Sequence, residues 1–498
     1  MTMDKKISKL REDSPSANWR MRIGLILGPC LFLLLLLTEP PAGMELSAWR
    51  VAALTALMAV WWVTEAVPIP VTALLPVALL PPLGVVSISV AAAPYANPLI
   101  FLFLGGFLIA LAIQRWDLHR RIALFILRFA GQKLHFLVAG FMLATGFLSM
   151  WVSNTATAAL MLPISISVLL LLESREDDPT NNQNFALALL LGIAFAANIG
   201  GMATLIGTPP NALLAGYMAE NYDVHIGFAQ WMLVGLPIAS LMMLLAWLVL
   251  TRWAFPVSRR NIEGIKPLLE RQRADLGPPS RAEWRVGMVF LLVALAWIFR
   301  PLLEKLLPGL TLSDAGIAIM GALLLFLIPA NQFRQQRFLL DWESTKHLPW
   351  GVLVLVGGGL SLGAAIDGSG LSAYIAAAMG GLGALPSWLL VGTVVVITML
   401  LSHVTSNTAT AATLLPLTAA LAVTLGEHPL LLAIPVALAA SCAFMLPVAT
   451  PPNAIVFSSE RITVPDMVRA GYRLSIAATV IISAAVFLLA IPVLGFGR

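Results

Sequence analysis

Ser153, Asn154 and Thr155 open an eleven-residue string, SNTATAALMLP, that returns 253 residues later as SNTATAATLLP, with Ser406, Asn407 and Thr408 in the same places. Nine of the eleven positions are identical. These side chains carry no charge and act only by hydrogen bonding. Each triplet precedes an alanine-rich segment, and a helix starting there exposes unpaired backbone N–H groups with a partial positive charge. That is a cradle for a small anion, written twice.

A second string also occurs twice. LIGTPPNALL, 205–214, is echoed 242 residues on by PVATPPNAIV, 447–456, which places Thr208 and Pro209 opposite Thr450 and Pro451. Consecutive prolines remove donors and clash with the preceding turn, so each string breaks a helix and leaves carbonyl oxygens unpaired. Two tips and two breaks together form a ring of hydroxyls, amides and backbone donors suited to a dianion with a carboxylate at each end. The free carbonyls and serine hydroxyls are hard oxygen ligands for a small cation, sodium being the natural candidate. Isolated Ser, Thr and Asn in membrane helices commonly serve as caps or interhelical glue. An eleven-residue polar-led string repeated in apolar surroundings argues against that here, given what polar groups cost at membrane depth.

The elements that must hold these residues are membrane helices. Of 498 residues, 59% are hydrophobic and 11% charged, with mean hydropathy +0.89, far from soluble domains, in which about a quarter are charged. The net charge of +5 collects in a few connecting loops, so it reads as topology rather than nucleic-acid binding. The six histidines are scattered and the two cysteines, Cys30 and Cys442, lie in apolar runs; no cofactor, zinc site or disulfide is expected. Lys5, Lys6, Lys9, Arg11, Arg20 and Arg22 precede an apolar run over 23–38 with no small-residue cleavage site after it, which predicts a retained helix.

Spans of roughly 20 apolar residues predict an all-α polytopic protein with about eleven crossings and two re-entrant hairpins. Residues 1–21 form a cytoplasmic segment. Crossings one to three (22–38, 48–64, 68–86) make a scaffold over 22–96. Residues 97–255 carry crossing four, a hairpin over 136–172 with the first SNT at its tip, crossing five broken at Gly207–Pro210, and crossing six. A basic connector, 256–285, leads to crossings seven and eight within 286–348. Residues 349–498 repeat the plan: crossing nine, a hairpin over 386–425, crossing ten broken at Thr450–Pro452, and crossing eleven. Each limb of the stretch 136–172, interrupted by the first SNT, is too short to span with comfort, which favours a hairpin shielded by protein. Basic loops place Lys266 and Arg334 in the cytoplasm and Glu45, Asp223 and the C-terminus outside, in a plasma (inner) membrane.

Crossings four to nine invert the second copy relative to the first. Inverted repeats with discontinuous helices at the midplane mark secondary transporters, and no nucleotide-binding motif accompanies them. A membrane enzyme would need an intramembrane nucleophile or carboxylate pair, and a channel a continuous pore; the motifs favour neither. Glu65, Asp117 and Asp367 are read as helix-end residues, the last two at corresponding ends of crossings four and nine, offset by 250 residues; Gly105–Gly106 and Gly357–Gly359 are read as close-packing positions, and most tryptophans as interfacial anchors.

SMWVSNTATAALMLP, LIGTPPN, ASCAFMLPVATPPNAIV and WWVTEAVPIPVTALLP resemble segments of the divalent anion/sodium symporter family, whose members move dicarboxylates, citrate or sulfate. The resemblance runs from about residue 45 onward. It implies substrate contacts at Ser153, Asn154, Thr155, Ser406, Asn407 and Thr408, helped by Thr208, Pro209, Thr450 and Pro451. It implies one sodium site at Ser149, Ser153, Asn154 and Gly207 and its mate at Ser402, Ser406, Asn407 and Ala449. It further implies a homodimer in the lipid bilayer whose transport domain slides against a fixed scaffold, as an elevator. His403 stands beside Ser402, where members of the family commonly carry an acidic residue; it is either a packing residue or a titratable substitute for a cation. Sodium symport of succinate, malate or fumarate is the expected activity. Sodium-independent exchange of one dicarboxylate for another stays open, as does the identity of the dianion.

Overall fold

The computed structural model describes residues 15–173, 179–261, 264–306, 309, 311–330, 338–378 and 385–496. Apart from two isolated β-bridges, the regular elements among them are helices, which satisfy their own backbone bonds as a bilayer requires. Eleven helices among the described residues are long and apolar enough to cross a membrane.

The number eleven agrees with the expectation, but its members differ. Expected crossing three is two short helices, Ile69–Thr72 and Leu75–Leu79, because prolines at 68, 70, 76, 81 and 82 withhold donors every few residues. Expected crossings eight and ten are the short helices Asp314–Leu327 and Leu430–Ala440. The places are taken by hairpin limbs: Asn154–Glu173, Ser387–Val404 and Asn407–Thr424 each have spanning length. The first of these has 20 residues, about 30 Å of helix, so the expectation that both limbs of the first hairpin are short fails for this one. The remaining limb, Leu134–Ser149, has 16.

The duplication is visible element by element. The amphipathic helix Leu118–Leu127 answers to Leu371–Ala378, and the hairpins Leu134–Ser149/Asn154–Glu173 and Ser387–Val404/Asn407–Thr424 correspond. So do the broken helices Pro179–Gly201/Pro209–Tyr222 and Leu430–Ala440/Pro451–Phe457. Even the closing helices match, since Phe228–Leu248 and Val464–Ala485 each run into a π-helical turn, Val249–Ala254 and Val486–Ala490. At this register the partner of Asp117 is Gly370, both left-handed at φ 53 and 78; Asp367 is not its equivalent, although both acids do sit at helix ends. Glu65 is likewise a helix-end residue, ending Leu46–Thr64 at φ 50 with its N–H bonded to Trp61 O.

The two halves exchange partners. Asn154–Glu173 packs against Pro451–Phe457, and Asn407–Thr424 packs against Pro209–Tyr222, so each hairpin leans on the other repeat's break. The Phe195 and Phe444 rings meet between them, 5.1 Å apart. Small residues permit such approaches elsewhere too: a Cβ on Gly105 would lie 2.6 Å from the Ala318 backbone, and one on Gly358 2.2 Å from Ala73 O. The glycine pairs are packing positions.

Residues 256–285 contain a polar helix, Ile265–Asp275, on which Lys266 is exposed. Arg334 lies outside the described residues, as do Lys5, Lys6, Lys9 and Arg11. Arg115 closes helix Pro98–Arg115 and is bound by Asp341 at 2.5 Å and Ser344 Oγ at 2.8 Å. That guanidinium, with the Ser344 N–H and hydroxyl, holds the Asp341 carboxyl down at about 2.

Candidate binding site

The first tip is a four-residue turn, Met150 to Ser153, between helices Leu134–Ser149 and Asn154–Glu173. Ser153 is exposed at its apex, and its Oγ accepts from Ala156 N at 3.3 Å, capping the following helix. Thr155 is half-buried, and its hydroxyl bonds to no described residue. Behind the apex the polar atoms converge. Ser149 Oγ lies 2.5 Å from the Asn154 amide and 2.7 Å from Ala197 O. The same terminal atom of that amide lies 3.2 Å from Ala197 O and 3.3 Å from Gly207 O.

Three oxygens, Ser149 Oγ, Ala197 O and Gly207 O, surround that terminal atom. As an NH2, the Asn154 terminal atom would donate to its neighbours; as the carbonyl oxygen, it would join three others in facing a small cation. Either way Ser149, Asn154, Ala197 and Gly207 are drawn to one point. Gly201 makes this possible, since a Cβ there would lie 2.8 Å from Asn154 Oδ1 and 3.0 Å from Gly207 O.

The second tip repeats the arrangement. Ser402 Oγ donates to Ala440 O at 2.6 Å and lies 2.8 Å from Asn407 Oδ1. Ser406 and Thr408 are half-buried at the apex, and Ala449 is buried in the corresponding break. His403 is buried, with Nδ1 2.6 Å from Met399 O, one turn back, and Nε2 without a hydrogen-bond partner among the described residues. A carbonyl at that distance selects the Nδ1–H tautomer, which leaves the other nitrogen as an acceptor within the packing.

At the breaks the sequence-expected residues divide. Pro209 and Pro451 start helices, and Thr208 and Thr450 precede them in extended conformation. Thr450 Oγ1 accepts from Asn453 N at 3.3 Å, whereas the Thr208 hydroxyl bonds to no described residue. The asparagine that closes each TPPN string was overlooked by reasoning that stopped at Thr and Pro. Asn211 Nδ2 reaches Gly201 O, Met202 O and Thr204 O, the last at 2.8 Å; Asn453 Nδ2 reaches Ala443 O and Leu446 O, each at 3.0 Å. Each asparagine staples its own break. That the string repeats through its asparagine was the available signal.

Asn198 was also missed. It is buried in the first break's leading helix and donates to Thr450 Oγ1 at 3.1 Å and Asn453 Oδ1 at 3.4 Å. The backbone oxygens of Ala197 and Ala440 left no trace in side-chain type, because any residue supplies a carbonyl.

With this geometry in view, likeness to known proteins is informative. A family model described as "Sodium:sulfate symporter transmembrane region" matches residues 18–494. The chain is 41% identical over 492 residues to the sodium-dependent dicarboxylate transporter SdcS of Staphylococcus aureus strain MRSA252, covering 98% of this chain and 94% of that one. Among solved structures it resembles the Alcanivorax borkumensis YdaH transporter (TM-score 0.57, 16% identity, 94% and 96% of the two chains). It also resembles Neisseria gonorrhoeae MtrF (TM-score 0.58, 13% identity, 98% of each). At those identities the two structures speak for the fold alone. The extent of the family match and of the identity to SdcS decide the assignment: the chain belongs to the sodium:sulfate symporter family.

Proposed function

We propose that the protein is a sodium-coupled symporter of C4-dicarboxylates such as succinate, malate and fumarate. The observation that carries this is the oxygen-rich cage of Ser149, Asn154, Ala197 and Gly207 with its counterpart at Ser402, Asn407 and Ala440. The identity to a sodium-dependent dicarboxylate transporter supports the same reading.

The physical logic is charge compensation. No lysine or arginine occurs in the SNT or TPPN strings, and a helix terminus supplies only about half a charge. A dianion therefore enters with cations. One sodium sits at each cage, and the substrate lies against Ser153, Asn154, Thr155, Ser406, Asn407 and Thr408, with Thr208, Pro209, Thr450 and Pro451 closing the ring. Each asparagine faces both ligands, so neither site is complete without the other. The half-buried hydroxyls of Thr155 and Thr408 are free to donate to a carboxylate.

Hairpins and breaks form a transport body that slides against a scaffold in a homodimer of the plasma membrane, the C-terminus outside. His403 is a packing residue in this account rather than a replacement for a cation. Uptake of labelled succinate into proteoliposomes tests the function: it is driven by an inward sodium gradient with no internal dicarboxylate. Uptake that instead demands internal dicarboxylate and ignores sodium identifies an exchanger.

A further inference from the structure

A cavity of about 470 Å³ opens beside the first hairpin, between its limb Leu134–Ser149, the end of helix Pro179–Gly201 and helix Phe228–Leu248. Its lining is apolar except for the Ser240 hydroxyl and the Trp247 indole nitrogen, which is occupied by His135 O at 2.8 Å. A dianion has no partner there. Phe136, Leu143, Phe147, Leu236 and Leu244 line it and are themselves exposed, so it opens sideways, toward the hydrocarbon that surrounds membrane helices. It runs from Phe136 and Trp247, whose rings stack at 6.4 Å, to Met150 and Gly200, about 20 Å along the limb.

The two ends differ in chemistry. At the Phe136 end, Leu134 N bonds Arg260 O at 3.3 Å and Lys133 bridges to Asn261, which folds the loop after the π-helical turn onto the start of the limb. Lys133, Arg252 and Arg259 are consequently gathered around His135, and all three are exposed. At the far end, Met150 follows Ser149, and Gly200 touches the backbone of Gly146. A slot as long as an acyl chain, apolar but for the Ser240 hydroxyl and the occupied Trp247 indole nitrogen and basic at its mouth, is complementary to one kind of molecule.

We propose that this cavity binds an anionic phospholipid of the bilayer. One acyl chain fills the slot up to Met150, and the phosphate-bearing headgroup rests on Lys133, Arg252 and Arg259. Each basic residue near a membrane surface adds about 1 kcal/mol of attraction for anionic lipid. The chain end would brace the limb that carries Ser149, making lipid charge a regulator of the first cage. That last link rests on the sodium reading above; the lipid site does not.

The test uses the full-length protein in nanodiscs of phosphatidylcholine containing a trace of phosphatidylglycerol with a diazirine at one acyl terminus. Photolysis is followed by mass spectrometry of the adducts. Adducts are expected at 142–150 and 200–203, displaced by unlabelled phosphatidylglycerol in preference to phosphatidylcholine. Lys133→Gln and Arg252→Gln should each weaken that preference about five-fold. Adducts spread evenly over the lipid-facing helices overturn the proposal, as does equal displacement by phosphatidylcholine, which would mean a neutral annular lipid. Labelling lost when two copies share a nanodisc would mean that a second chain covers the slot, and overturns it too. The wild-type arm decides the matter even if a variant misfolds, and transport is not read, so neither result bears on symport.

Discussion

Asn198 Nδ2 donates to Thr450 Oγ1 across 3.1 Å, so a side chain of the first repeat fixes the residue that opens the second repeat's helix break. Because Thr450 Oγ1 also accepts from Asn453 N, both its lone pairs are engaged and its proton has no acceptor among the described residues; under the proposed function that proton is available to a substrate carboxylate. Asn198→Ala should raise the KM for succinate roughly 5- to 150-fold, the 1 to 3 kcal/mol expected for a lost buried partner. Initial-rate uptake measures it, and an unchanged KM would remove Asn198 from the site.

Gly201 lies where no Cβ fits without moving Asn154. Gly201→Ala should therefore weaken sodium dependence more than Gly106→Ala, whose new Cβ would meet the flexible end of Ile206 at 3.4 Å. A gap of about tenfold in the sodium concentration giving half-maximal uptake is expected, from 1 to 2 kcal/mol of overpacking against a rigid partner. Equal effects would mean that Asn154 is not held by this contact.

Much of this was legible because the chain says it twice. The SNT and TPPN strings located both tips and both breaks, and polar residues repeated in an apolar chain have few other uses. What stayed hidden has identifiable causes. Asn198 belongs to one repeat only, its counterpart region reading LAASC, so no repetition marked it. The cage carbonyls of Ala197 and Ala440 belong to the backbone and have no residue signature. Limb lengths were misjudged because hydropathy is continuous through the apex of each hairpin, and proline spacing, which dissolved expected crossing three, was underweighted.

The pair of Arg115 and Asp341 joins the end of helix Pro98–Arg115, in the expected first repeat, to the loop after crossing eight, in the expected scaffold. Since the folded carboxyl is held at about 2, against an ordinary value near 3.9, the stabilisation is present above pH ~4 and is lost as pH falls toward 2. Asp341→Asn should lower the melting temperature by a constant amount between pH 5 and 8, and the difference should shrink below about pH 4. A difference that grows on acidification would contradict the ion pair. The effect should be modest, because both partners are partly exposed.

Sidedness follows from charge. A cysteine at 266, on the exposed face of helix Ile265–Asp275, should resist a membrane-impermeant thiol reagent in intact cells, while cysteines at 45 and 223 react. Labelling at 266 from outside would reverse the assignment.

The central claim is that a dianion binds only with sodium in the cages of Ser149, Asn154 and Gly207 and of Ser402 and Asn407. Succinate affinity measured on the purified protein at fixed ionic strength, as sodium is replaced by choline, tests it most directly. Affinity should fall steeply with sodium, more than in proportion to its concentration if both cages must fill, and should be lost in pure choline. An affinity that does not change from sodium to choline would contradict the account.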